Sequence, residues 1–173
     1  MRAVRATARA LDRVPGVNVQ ALDWITRDVY VYLEFKSARR VIDRIASDVL
    51  DGEEPLVLVA HSLGTVVAYN VLRARREPGR VRRLVTLGSP LALRALRRFL
   101  NPLVYPPSVA DWFNAYDRRD IVALRPLDDE HFSIGRPIDN YDEVVNYTQN
   151  CHGIEAYLSD SVVALRIAEA LSG

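Results

Sequence analysis

The chain has 173 residues, 49% of them hydrophobic, which sets one domain with enough apolar side chains for a sizeable core. Its 23 basic and 22 acidic side chains nearly cancel, and the arginines are scattered, so nothing argues for nucleic acid or an acidic partner. No apolar run is long enough to span a bilayer, the basic N-terminus lacks the apolar core of a secretory signal, and the lone Cys151 allows no internal disulfide; cytoplasmic is the default location.

Residues 2–13 alternate arginine with small and apolar residues, placing Arg2, Arg5, Arg9 and Arg13 roughly on one helix face. That pattern suits a solvated face or, more sharply, a membrane-surface or partner helix. Pro15-Gly16 is a turn. Trp24, Ile25, Val29 and Leu33 predict a helix over 22–34. A second helix is predicted from a Ser37 cap through Val41, Ile42, Ile45 and Val49, ended by Asp51-Gly52.

Leu56 to Ala60 is an apolar run of strand length, rich in β-branched residues. Ala60-x-Ser62-x-Gly64 follows, then a helical pattern through Val66, Val67, Tyr69, Val71 and Leu72. Strand, sharp turn carrying a serine, helix is the layout of a nucleophile elbow. Such a turn holds the serine in a strained conformation at the carboxyl end of the strand. Its hydroxyl and the first helical N–H groups then share one space. Small flanking residues are expected because strand and helix pass close together.

Val81 to Leu87 reads as a second buried strand, ending in Gly88-Ser89-Pro90. Leu91 to Leu100 is an amphipathic helix, either a cap over a site or an ordinary covering helix. A third strand is predicted at Trp112–Tyr116, a fourth at Val144–Tyr147, and one helix from Ile154 to Leu171. Strands alternating with helices argue an α/β fold, a parallel sheet with helices on both faces.

The run from Leu56 to Tyr69, with the strand end Leu87-Gly88-Ser89-Pro90, resembles the serine esterase and lipase branch of the α/β-hydrolase superfamily. The resemblance covers about residues 22–171. It implies a single α/β-hydrolase-type domain over 1–173, N-terminally short. It also implies a triad in the order Ser, acid, His, each after a separate strand end.

The chemistry asks for the same set. A serine hydroxyl needs a base within hydrogen-bond reach, and the base needs a carboxylate to fix its tautomer. Ser62 is the nucleophile candidate. Ser89 competes, but no glycine stands two residues on, and Pro90 removes the N–H that a helix start would offer. His152, after the last strand and before the last helix, is the base candidate. His61 adjoins the nucleophile and points elsewhere on the turn, with packing or polarity near the oxyanion as its role. His131 reads as a surface or pocket residue. Asp120 and Asp117 compete as the acid; Asp120 precedes Ile121-Val122, wording that resembles the acid strand of related lipases. Asp128, Asp129 and Glu130 read as a solvated acidic turn, and Cys151 as a partly buried structural thiol. No cluster has metal-ligand spacing and no glycine-rich phosphate loop occurs, so no cofactor is expected.

Acyl transfer also needs an oxyanion hole. The N–H of Leu63 is one donor. The second normally comes from a loop after an earlier strand, and none is found before Ala60. The first strands are thus expected to be missing, which exposes a sheet edge. Either the chain is a truncated product or a fragment of a larger hydrolase, or it takes its second N–H from around Pro15-Gly16 or a partner chain. The expected function is hydrolysis of a carboxylic ester, small or lipid-like, through an acyl-enzyme. The apolar insertion at Leu91–Val104 favours a lipid-like acyl group, and thioesterases and acyltransferases use the same triad. A different class is a catalytically weak fold acting as a binding or assembly module. A homo-oligomer or a partner covering the sheet edge is implied in either case.

Overall fold

The computed structural model describes residues 19–148 and 150–172. The basic pattern at 2–13 and the turn at Pro15-Gly16 lie outside the described residues.

Four strands form one all-parallel sheet in the order β1-β2-β3-β4: β1 Leu56–His61, β2 Val81–Leu87, β3 Val109–Ala115 and β4 Asp139–Tyr141. Side chains alternate across the sheet. Leu84 and Trp112 enter one core, with Tyr69, Leu72 and Phe132; Val85 and Phe113 enter the other, with Tyr157 and Val163. The first core is covered by α1 (Val19–Glu34), α2 (Lys36–Leu50), α3 (Leu63–Leu72) and α4 (Arg94–Leu100). The second is covered by α5 (Ile154–Ser159) and α6 (Ser161–Ser172). The α/β class and the helices on both faces are therefore present.

Buried polar contacts tie these layers. Tyr32, fully buried, donates to Asp43 Oδ1 at 2.6 Å, and Asn70 donates to Asp43 Oδ2 at 3.0 Å, joining α1, α2 and α3. Across the sheet, Trp112 Nε1 donates to Thr86 Oγ1 (2.9 Å), Thr86 to Asn114 Oδ1 (2.8 Å), and Asn114 to Asn140 Oδ1 (2.9 Å). Each buried polar atom in that chain gains a partner, which fixes the register of β2, β3 and β4.

Three expected elements differ. The fourth strand is Asp139–Tyr141, paired with Phe113–Ala115, and not Val144–Tyr147. Val144 is buried, but the N–H of Asn146 is taken by Asp117 Oδ2 at 2.8 Å, so a side chain replaces the ladder there. The last helix is two: Asp160 interrupts it, and its Oδ1 accepts from the N–H groups of Val162 (2.9 Å) and Val163 (3.1 Å), starting a second helix. Ser37 does not cap α2; the cap position is Phe35, in extended conformation, without a side-chain bond. A 3-10 turn at Pro90–Ala92 precedes α4, and Ser89 Oγ accepts the Leu91 N–H at its start.

Candidate active site

The carboxyl ends of parallel strands are where α/β sheets build sites, and the singled-out residues converge there. Ser62 follows β1 directly. Its φ of 53° is the only positive value at a non-glycine position among the described residues. For an L-residue such a backbone costs about 1–3 kcal/mol and persists only where the surroundings enforce it. Here the Ser62 N–H donates to Leu87 O at 3.1 Å, and its carbonyl accepts from Thr65 N (3.0 Å) and Thr65 Oγ1 (2.7 Å). Leu63 opens α3, so its N–H belongs to the first turn, which has no intrahelical acceptor.

His152 and Asp120 form a buried pair beside the same strand ends. His152 Nδ1 lies 2.7 Å from Asp120 Oδ2, with the Asp120 side chain 0% exposed. Asp120 also accepts from Tyr157 Oη on Oδ2 (2.7 Å) and from the Val122 N–H on Oδ1 (2.9 Å). Three donors on one buried carboxylate fix its plane. With Nδ1 donating to that carboxylate, the neutral imidazole keeps its lone pair on Nε2. Nε2 is buried and has no hydrogen-bond partner among the described residues. A buried polar atom without a partner costs free energy, and active sites are where such orphans persist. Burial, then the Asp120 charge, pushes the Tyr157 hydroxyl well above its ordinary pKa, so it stays a donor.

His61 supports this arrangement from β1. Its Nε2 lies 2.8 Å from the carbonyl oxygen of His152, and the two rings lie 4.7 Å apart. A carbonyl only accepts, so Nε2 carries the proton. Burial, then the neighbouring His152, lowers the His61 pKa to about 4. His61 is thus a neutral donor that holds the backbone of His152.

Gly88 makes the room. Its φ is +55°, and a Cβ there would come within 3.1 Å of Asp120 Oδ2 and 3.2 Å of His152 Cε1. The close approach expected at the elbow glycine is found instead at this second strand end, since a Cβ on Gly64 would meet nothing within 4 Å.

The other candidates sit apart. Asp117 accepts from Arg119 N, Nε and Nη2 and from the Asn146 N–H, and makes no bond to His152. Burial raises its carboxyl pKa, but these donors, Arg119 first, override that and hold it below the ordinary value. Ser89 is buried, its Oγ bonded to Thr65 Oγ1 at 2.8 Å. His131 Nδ1 lies 2.7 Å from Asp128 Oδ1, within the acidic turn. Cys151 is half-buried.

Sequence reasoning passed over Tyr157 and Gly88. Tyr157 stood in a helical apolar pattern with nothing to mark its hydroxyl. Gly88 was visible as a glycine at a strand end, the same signal that marked the elbow.

Among the described residues no group of three or more His, Cys, Asp or Glu is placed to hold a metal, and no helix is long and apolar enough to cross a membrane. Comparison with protein-family models, curated proteins and solved structures finds no match.

Proposed function

We propose that this chain is a serine hydrolase of the α/β-hydrolase type that cleaves a carboxylic ester through an acyl-enzyme. The observation that carries the reading is the orphaned Nε2 of His152. It is buried, its ring is locked by Asp120, and it lies among the strand ends that also hold the positive-φ Ser62.

In this reading His152 Nε2 takes the Ser62 Oγ proton as Oγ attacks the ester carbonyl carbon. The carbonyl π pair moves onto oxygen, where the Leu63 N–H donates to it. Collapse expels the alkoxide, which takes the proton from Nε2. Water then attacks the acyl-Ser62 ester, with His152 again receiving and returning one proton. Asp120 remains a carboxylate, orienting the ring and stabilising the imidazolium. Ser62 Oγ and His152 Nε2 are not hydrogen-bonded to each other, and catalytic pairs commonly tighten on binding. Thioester cleavage or acyl transfer would use the same groups.

A second reading, a weakly active fold that works as a binding or assembly module, is favoured by one observation. Among the described residues no strand precedes β1 to bring a second donor beside the Leu63 N–H, and losing one oxyanion donor costs about 10²–10³ in rate.

A fluorophosphonate probe separates them. The hydrolase reading expects stoichiometric labelling of the folded protein, mapped to Ser62 by peptide mass and absent in Ser62→Ala. No labelling of the intact protein sinks it.

A further inference from the structure

Among the described residues nothing covers the face that runs from α2 to β1. Val41, Ile45 and Val49 recur every four residues along α2 and are 61, 60 and 72% exposed. Ile45 and Val49 belong to an apolar groove of about 500 Å³, which also takes in Leu58–His61 of β1 and Leu63 and Gly64 of α3.

The wall formed by β1 identifies the kind of occupant. β1 pairs with β2 alone among the described residues. The N–H groups of Leu56 and Ser62 both point to the β2 side, donating to Arg80 O and Leu87 O. Directions alternate along a strand, so Val57, Val59 and His61 present their N–H and C=O groups to the open edge. An acyl chain would fill the apolar volume and leave those groups without partners; an extended polypeptide satisfies both.

The charges on α2 identify which polypeptide. Lys36, Arg40 and Arg44 are exposed along its first two-thirds, and Asp48, Glu53 and Glu54 are exposed at and beyond its end. Neither Arg44 nor Asp48 has an ion-pair partner among the described residues. This surface is complementary to itself when reversed: about a two-fold axis near Ile45, Val41 meets a second Val49 and Arg44 comes within a turn of a second Asp48. We propose that the chain pairs with a second copy of itself here. The two β1 edges run antiparallel to give an eight-stranded sheet, and the two α2 helices cross the seam head to tail. Such an isologous contact closes on itself. The proposal is independent of the hydrolase reading.

Sedimentation velocity on the full chain across the micromolar range, with amide exchange on the same samples, tests it. A dimer is expected, with the Val59 and His61 amides slow at high concentration and fast on dilution. Ile45→Glu, at an exposed position, should raise the dimer dissociation constant about a hundredfold by placing a carboxylate in the apolar seam. Arg44→Asp should weaken the dimer, and adding Asp48→Arg should restore it. A monomer at all concentrations overturns the proposal, as does a dimer indifferent to all of these variants. So does a monomer whose Val59 and His61 amides are slow at every dilution, since another segment of the chain would then cover the edge.

Discussion

On the β2 side of β1, polar groups interlock around the strand ends. Asp120 accepts from His152, Tyr157 and the Val122 N–H; His61 holds the carbonyl of His152; Thr65 and Leu87 hold the backbone of Ser62. On the other side lie an open strand edge and an apolar groove. Two chemistries thus sit one strand width apart. The interlocked side is stiff because Asp120, Tyr157 and Thr65 are each held by two or more hydrogen bonds, and stiffness is what proton transfer needs. The open side offers non-directional burial and a row of main-chain groups, which is what association needs. Substitutions on one side should leave the other's readout unchanged.

The largest expected effect is Ser62→Ala, which should lower p-nitrophenyl ester hydrolysis by about 10⁴-fold or more while sedimentation stays as in the parent. Residual turnover within tenfold would break the assignment of chemistry to this side. Asp120→Asn should cut kcat by about 10⁴-fold, because an amide there favours the wrong tautomer of His152.

Gly88→Ala comes next. A side chain at φ +55° costs about 1–2 kcal/mol, measurable as a lower urea midpoint. Its methyl also pushes on Asp120 and His152 by a few tenths of an ångström, which should lower the rate by less than the roughly hundredfold that a misplacement of about 1 Å costs. Full activity in this variant would show that the pair tolerates movement and is less stiff than drawn here.

Tyr157→Phe removes one donor from a buried carboxylate, and a hydrogen bond to a charged group is worth about 1.5–3 kcal/mol. Equilibrium urea unfolding at neutral pH reads that loss.

The smallest effect concerns His61, whose pKa is lowered from 6.5 to about 4 in the folded protein. Between those values the unfolded chain binds more protons, so this residue's contribution to stability is complete above about pH 6.5 and is lost as pH falls toward 4. His61→Gln keeps a donor for the His152 carbonyl and removes the titration. The decline of urea midpoint over that window should become shallower, and an unchanged decline would assign the acid sensitivity elsewhere.

The elbow was legible because local chemistry dictates it: a β-branched run makes the strand, and the turn follows at once. That Ser62, Asp120 and His152 gather at one end of the sheet was legible because an alternating chain delivers successive loops to one end of a parallel sheet. What stayed hidden depends on contacts distant in sequence. Val144 and Val145 carry a strand-like signature, yet β4 is Asp139-Asn140-Tyr141, selected by an asparagine that meets Asn114 across the sheet. Asp117 and Asp120 are three residues apart in one loop, and only the donors that meet them, Arg119 and the Asn146 N–H for one, His152 and Tyr157 for the other, tell them apart. Ser37 looked like a cap by residue type, but the chain between α1 and α2 is a single residue, Phe35, which leaves no turn for a serine to close.

The strands stand in the sheet in the order in which they occur in the chain. Of these four, β1 and its serine turn are therefore made before the others, and each later described strand adds beside the one before it. His152 and Tyr157 emerge after all four strands. Until then Asp120 has neither its imidazole nor its phenol, and the serine turn has no proton acceptor. Under the proposed hydrolase reading, a nascent chain that already holds these four strands lacks its base, and its reactivity arrives with the final two helices.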